Sequence, residues 1–316
     1  MIKFNTEFSP NYGIVTEVSP LIRRLVAQNP SPFTFHGTGS YIIGPACAQL
    51  AKGDSANKMS DSSSPKKKVA IIDPGPDLSS HIDDLEKFLA PMDVSHILIT
   101  HNHMDHSPAA QPLKLITGAE IHAFDTRAQA AGDSHAEEGR DRNFTPDHIL
   151  QDGDVIKGDG WTLDVVHTPG HLSNHLCFAL RQEKALFTGD HVMGWSTSVI
   201  AQPDGHMADY LASLEKLLAR DDEIYYPTHG APIKNPKPFV KALIAHRHHR
   251  ERQILAAVAG GAITIPEMVT MIYSDIPPYL HPAAASAVLS HLIHMTSDGR
   301  VKCQGEMSKD GIFMVV

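Results

Sequence analysis

Short apolar runs ending in polar turns recur along the first three quarters of the chain. Between Tyr12 and Ile43, the positions Ile14, Val15, Val18, Phe33, Phe35, Tyr41, Ile42 and Ile43 alternate with polar ones. Pro20, Pro30, Pro32, Gly37 and Gly39 punctuate them, the pattern of successive antiparallel strands. Further strands are expected over residues 69–72, 94–99, 120–124, 162–167, 175–180, 185–188 and 223–226. Helical spacing appears at Leu78, Ile82, Leu85, Phe88 and Leu89, with Asp77 as the expected N-cap. A second helix is expected over 109–116, where Ser107 would cap and Pro108 would take the first helical position. Met207, Tyr210, Leu211, Leu214, Leu217 and Leu218 mark an amphipathic third. Two halves, each of strands followed by strand–helix units, predict an α/β (α+β) fold with helices covering both outer faces.

Two stretches break the pattern. Residues 46–68 are rich in Ser, Asp and Gly and end in Lys66-Lys67-Lys68. Strand signals resume at once afterwards, so this reads as a flexible insertion within a hairpin. Residues 125–145 are polar and irregular and are expected to form a mobile segment over the site. From Phe239 the composition changes. A long helix over 239–258, a helix opening at Thr264-Ile265-Pro266, a helix opening at His281-Pro282 and a hairpin over 301–316 follow one another. That is a winged-helix order, and it divides the chain into residues 1–238 and 239–316.

Composition narrows the class. A hydrophobic content of 42% and a charged content of 20% over 316 residues are those of a soluble globular protein. No apolar run approaches the roughly 18 residues of a membrane span, and the first ten residues lack the core of a secretory signal. Cys47, Cys177 and Cys303 are widely spaced, as in a reducing, cytoplasmic setting. A net charge of −9 supplies no global reason to bind nucleic acid or anionic membranes. The best local basic patch is His246–Arg252. The expected third helix of the C-terminal unit offers His281, His291 and His294 but no arginine or lysine before Arg300. A helix that reads bases normally supplies cationic or amide groups. A packing role, shaping the pocket or a homodimer contact, is therefore expected over nucleic-acid binding.

The candidate chemistry sits at strand ends. Residues Thr100–Ser107 read T-H-N-H-M-D-H-S, directly after an apolar run. His101 and His103 are two apart, so an extended backbone points both the same way, and Asp105 and His106 follow where the chain bends. Imidazoles and carboxylates converging in this way suit zinc or another borderline first-row metal. Three later segments share the grammar of a strand followed by a glycine turn carrying His or Asp. They are Thr168-Pro169-Gly170-His171, Thr188-Gly189-Asp190-His191 and Pro227-Thr228-His229-Gly230.

The set H-x-H-x-D-H, T-P-G-H, G-D and T-H-G resembles the metallo-β-lactamase superfamily, over residues from about Asp73 to Gly230. The resemblance implies a four-layer αββα sandwich with metals at one edge. It implies that His101, His103 and His171 bind a first metal, and that Asp105, His106 and His229 bind a second, with Asp190 bridging. Asp73, in the I-D-P-G turn, would orient a ligand through hydrogen bonds. The C-terminal order likewise resembles the small winged-helix domain of one hydrolase branch that includes an endoribonuclease. With two zinc ions per chain (iron or manganese also suit these donors), a bridging water would be a hydroxide at neutral pH. The expected reaction is hydrolysis of an ester, thioester, lactone, amide or phosphodiester, with Asp105 and Asp190 at its centre. A small-molecule substrate is expected first. A single-stranded RNA endoribonuclease, a glyoxalase-II-like thioesterase and a metal-sensing DNA-binding regulator are the alternatives. Asp190, where many β-lactamases of this fold have cysteine, argues against an antibiotic-degrading enzyme. His175 is a further candidate as a substrate or proton-shuttle group, and Trp195-Ser196-Thr197-Ser198 as pocket lining.

Overall fold

The computed structural model describes residues 2–45, 66–126 and 139–316. Most of the insertion at 46–68 and most of the segment at 125–145 therefore lie outside the described residues. Lys68 already belongs to the strand that follows the insertion.

The first sheet keeps chain order: β1 (Thr16–Ser19), β2 (Ile22–Val26), β3 (Gly39–Ile43), β4 (Lys68–Ile72), β5 (Asp93–Leu98), β6 (Glu120–Ala123) and β7 (His148–Ile149). Neighbours are antiparallel up to β4 and parallel from β4 onward. Parallel pairing needs crossovers, and α1 (Ser79–Leu89) and α2 (Ala110–Thr117) supply those from β4 to β5 and from β5 to β6. The second sheet holds β8 (Val155–Gly158), β9 (Trp161–His167), β10 (Leu176–Leu180), β11 (Ala185–Gly189), β12 (Ile224–Pro227) and β13 (Ile233–Lys234). Its order is β13-β12-β11-β10-β9-β8. Its parallel pair, β11 with β12, is joined through α3 (Met207–Leu218).

The period of two in the strands decides the layers. In β4, Ala70 and Ile72 face the second sheet and pack with Leu163, Val165, Phe178 and Phe187. Val69 and Ile71 face outward onto Leu85 and Leu89 of α1 and Leu113 of α2. In β10, Cys177 and Ala179 face outward onto Tyr210 and Leu214 of α3. Both sheets are thus buried on two faces, which is why their strands read as continuous apolar runs. The result is the four-layer αββα sandwich.

The long helix α4 (Pro236–Ala259) serves two cores. Val240, Leu243 and Ile244 pack against the second sheet's outer layer. Ile254, Ala257 and Val258 join α5 (Ile265–Ile272), α6 (His281–Ser297) and the hairpin of β14 (Val301–Gln304) and β15 (Ile312–Val315) around Val288, Leu292 and Phe313. This is the winged helix. Thr264 opens α5 with a capping box: Glu267 Oε2 accepts from the Thr264 backbone N–H and hydroxyl.

Two expected caps are corrected. Leu78 precedes α1 instead of Asp77, and no side chain caps it. Ser107 does not cap α2, whose N-cap is Ala109; its hydroxyl lies 3.1 Å from Asp141 Oδ2 and 3.3 Å from the His103 carbonyl. The hydroxyl donates to these acceptors instead of accepting from an N–H of the helix's first turn. Among the described residues, no helix is long and apolar enough to cross a membrane.

Candidate metal centre

Strand ends from both sheets meet at one edge of the sandwich. Asp73 follows β4, His101 to His106 follow β5, His171 follows β9, Asp190 follows β11 and His229 follows β12. Each chain segment turns there with little room. Gly170 has φ +137°, and a Cβ on it would lie 2.3 Å from Tyr210 Cα, so only glycine lets the His171 turn lie against α3. Asp73 itself has φ +49°, which bends the chain so that its carboxylate faces inward.

Seven donor side chains form two adjoining groups, His101, His103 and His171 beside Asp105, His106, Asp190 and His229, all buried. His101 Nε2 lies 3.0 Å from His103 Nδ1, and His171 Nε2 lies 3.3 and 3.2 Å from those two nitrogens. Tetrahedral zinc with bonds of about 2.0–2.1 Å sets its nitrogen donors about 3.3 Å apart. In the second group, Asp105 Oδ2 is 3.3 Å from His106 Nε2 and 3.0 Å from His229 Nε2. Asp190 reaches both groups: Oδ1 lies 3.3 Å from His229 Nε2, and Oδ2 lies 3.5 Å from His106 Nε2 and 4.0 Å from His171 Nε2.

The outer nitrogens of four histidines decide which way the lone pairs point. His171 Nδ1 donates to the Val199 carbonyl at 2.7 Å, and His229 Nδ1 donates to the Gly37 carbonyl at 3.2 Å. His106 Nδ1 donates to Asp73 Oδ2 at 2.9 Å. The Thr100 hydroxyl donates to Asp73 Oδ2 at 2.7 Å, so it accepts from His101 Nδ1 at 3.0 Å. With these N–H groups turned outward, Nε2 is the nitrogen left on each ring to offer a lone pair to the centre, once His106 and His229 lose their second proton. The inner atoms His106 Nε2, His229 Nε2 and Asp190 Oδ1 have no hydrogen-bond partner although buried. Orphaned inner acceptors and committed outer donors fit a pair of divalent cations.

The electrostatics of the protein alone agree. Burial opposes a charge on His106, but Asp105, Asp190 and Asp73 outweigh it and hold its pKa well above the ordinary histidine value. His229 is buried too, and Asp190 and Asp105 lift it to about 9. His101 is pushed well below that value by burial and by His106, His103 and His171. Asp105 and Asp190 stay ionised despite burial because His106 and His229 face them. Cations entering here would displace protons from His106 and His229.

His175 stands behind the ligands. Its Nδ1 lies 2.9 Å from Thr168 Oγ1, and its Nε2 accepts the Asp190 backbone N–H at 3.2 Å. Both ring nitrogens are thus engaged, so His175 positions Asp190 and does not face a substrate as expected. Trp195 stacks on Phe35 with centroids 4.7 Å apart and covers Gly230, next to His229. Phe33, Met193 and Val199 line the cavity that reaches His103, Asp105, His171 and Asp190. The basic run on α4 is largely engaged: Arg247 is buried and donates to the Ser198 carbonyl at 2.5 Å, and Arg250 lies over the Tyr273 ring at 4.1 Å. A separate group, Glu120, His122 and His148, lies in β6 and β7, with Glu120 and His148 paired at 2.6 Å.

Sequence reasoning did not identify the threonines that hold the donor side chains. Thr100 and Thr228 both donate to Asp73 Oδ2, and Thr168 engages His175. Their signal was present, because each of the four histidine and aspartate segments carries a threonine at a strand end, Thr100, Thr168, Thr188 and Thr228. The Val199 carbonyl had no signal, since a backbone acceptor leaves no mark on the sequence.

A profile described as the Metallo-beta-lactamase superfamily matches residues 64–229, and a second, the Beta-lactamase associated winged helix domain, matches 264–310. An atrochrysone carboxyl ACP thioesterase of Cryptosporiopsis sp. (strain 8999) is 30% identical over 285 residues, 83% of this chain and 74% of its own length. A lactamase-like protein of Aspergillus niger is 28% identical over 325 residues, 97% of this chain and 90% of its own. Among solved structures, a beta-lactamase domain protein from Burkholderia ambifaria superposes with a TM-score of 0.77 at 17% identity, covering 100% of this chain and 97% of that one. A metallo-beta-lactamase family protein from Thermus thermophilus gives 0.72 at 20% identity, covering 95% of this chain and 100% of that one. These two show the shared fold.

Proposed function

Because the chain belongs to the metallo-β-lactamase superfamily, we propose that it is a dinuclear zinc hydrolase acting on thioesters. The observation that carries this reading is the convergence of seven buried donors in two adjoining groups, with Asp190 between them. His101, His103 and His171 would hold one ion, and Asp105, His106 and His229 the other, with the Asp190 carboxylate offsetting the repulsion between them. Such a pair, when bound, supplies a water acidified to near neutral pH and polarises a carbonyl oxygen.

The chain's own residues do the rest. Asp73 accepts from Thr100, Thr228 and His106 and ties its own strand end, after β4, to those after β5 and β12. His175 anchors the Asp190 backbone. Asp105 and Asp190 edge the cavity, where their oxygens accept hydrogen bonds from the attacking water and orient it. In the net reaction, water oxygen bonds to the acyl carbon, the carbon–sulfur bond breaks, and a carboxylic acid and a thiol leave.

Two features favour a thioester. The relative from Cryptosporiopsis is named as a carboxyl ACP thioesterase, and this chain covers most of its length. Phe33, Met193 and Val199 offer an apolar wall beside the donors, suited to an acyl group. Arg247 and Arg250 are engaged within the protein, which favours a small acyl substrate over nucleic acid.

The test is a panel of S-acyl N-acetylcysteamine, S-acyl glutathione and acyl-coenzyme A thioesters beside a lactone, a phosphodiester and single-stranded RNA. Expected is thiol release from a thioester, reduced at least about 100-fold in Asp105→Ala and His171→Ala. Cleavage of RNA with every thioester untouched would move the substrate class. Variants as fast as the parent would remove the metal centre from the reaction.

A further inference from the structure

The winged-helix domain grips one short segment of the larger domain at two points, and a metal ligand hangs from that segment between them. Arg247 of α4 donates from Nη2 to the Ser198 carbonyl at 2.5 Å. Ser290 of α6 donates from Oγ to the Ile200 carbonyl at 2.6 Å. The intervening Val199 carbonyl points the other way and accepts from His171 Nδ1 at 2.7 Å. Arg247 and Ser290 are both buried, at 6% and 1% exposure, so water does not replace either donor cheaply.

We propose that Arg247 and Ser290 are positioning residues that make the C-terminal domain a working part of the metal centre, fixing His171 through the backbone of residues 198–200. The inference rests on reading His171 as a ligand. A histidine ligand is only as well aimed as the acceptor on its other nitrogen, and here that acceptor is a loop carbonyl outside any strand or helix. Such a carbonyl is free to rotate unless its neighbours are held. Arg247 and Ser290 hold them, one on each side. A second contact works in the same direction. The Arg247 guanidinium lies 5.1 Å from the Tyr210 ring centroid, and the Tyr210 backbone is what crowds Gly170, the residue before His171. Val199 also lines the cavity. The same grip therefore sets both the ligand's orientation and part of the substrate wall.

Simple domain packing predicts something different. If these bonds only glued two domains together, cutting them would lower stability and leave metal affinity alone. Positioning predicts a loss concentrated on the group containing His171. Zinc affinity is to be measured by competition with a chromophoric chelator, and cobalt(II) loading by visible absorption, on the full chain. Arg247→Ala and Ser290→Ala are expected to weaken one of the two zinc-binding steps by about 10- to 100-fold and to shift the cobalt spectrum. Arg247→Lys keeps a donor for Ser198 and is expected to recover most of the affinity. Arg250→Ala alters the same helix at its contacts with Tyr273 and Gln253, away from residues 198–200, and is expected to leave both readouts unchanged.

Ser290→Ala removes a single hydroxyl, so it carries the test if Arg247→Ala does not fold. Unchanged affinity in Ser290→Ala, equal loss at both zinc steps, or an equal loss in Arg250→Ala would overturn the inference. A His171→Ala control separates two failures. Unchanged zinc binding in that variant would remove the metal-centre reading and the inference with it, whereas loss there beside unchanged Ser290→Ala would remove the inference alone. Neither readout depends on turnover, so the outcome stands whatever the substrate is.

Discussion

Asp73 faces the ligands' outer side, yet four hydrogen-bond donors end on its two oxygens. The Thr100 backbone N–H bonds Oδ1, and the Thr100 hydroxyl, the Thr228 hydroxyl and His106 Nδ1 bond Oδ2. Removing that carboxylate frees the tautomer of His106 and loosens the strand ends carrying His101 and His229. Asp73→Ala is therefore expected to lower zinc affinity by about 10- to 100-fold, read by chelator competition. Affinity within twofold of the parent would show that the ligands hold themselves. At this scale the sequence was most informative where a residue's chemistry and its turn coincided. His101, His103, Asp105, His106, His171, Asp190 and His229 all meet, because each stands beside a strand end where packing has no use for it. His175 carried the same outward signal, but both of its ring nitrogens are engaged. Side-chain type alone does not say which neighbour will claim a nitrogen.

Helices were legible from periodicity, and their local ends less so. The pattern from Met207 to Leu218 matches α3 residue for residue, because one face packs on the sheet throughout. Ser107 reads as a cap by local rules, but Asp141 lies within reach of its hydroxyl, and no local pattern contains that partner. In α4 and α6, periodicity could not reveal Glu251, which is buried between helices. It lies 2.7 Å from His294 Nδ1, 2.8 Å from Arg300 Nη1 and 3.6 Å from His291 Nδ1. Burial opposes its ionisation, but His291, His294 and Arg300 outweigh burial and hold its pKa well below the usual carboxylate range. Burial also lowers His291 to about 4 against the pull of Glu251. Both shifts have the same sign for stability. His291 contributes fully above its unfolded value of about 6.5 and loses that contribution as pH falls through about 4. Glu251 contributes above about 4.3 and loses its contribution as pH falls further. Chemical denaturation at a series of pH values should show stability declining from pH 7 toward 4 and below. Glu251→Gln should cost on the order of 3 kcal/mol at pH 7, with the gap from the parent narrowing below about pH 4.3. A gap that stays constant with pH would refute the role given to Glu251.

Across the whole molecule, the metal centre ties together connections from two sheets that share no backbone hydrogen-bond ladder. Asp73, the His101–His106 turn, His171, Asp190 and His229 follow five different strands, so the unfolded chain cannot assemble the full donor set. Zinc held by this donor set would therefore bind the folded form selectively. With free zinc at 100 times the dissociation constant, that is worth about 2.7 kcal/mol. Stripping the ions with a chelator should lower the midpoint of thermal unfolding by about 4 °C, recovered on adding zinc back. An unchanged midpoint would mean that these donors do not hold zinc in the folded protein. Whether two ions in this centre make a thioester hydrolase is tested most directly by a zinc titration of the metal-stripped protein, followed by thiol release from an S-acyl substrate. Expected are no turnover at the start, a rise that saturates at two equivalents per chain, and a flat line for Asp190→Ala. Turnover in the stripped protein, or saturation with no thioester cleaved, would contradict a dinuclear thioesterase.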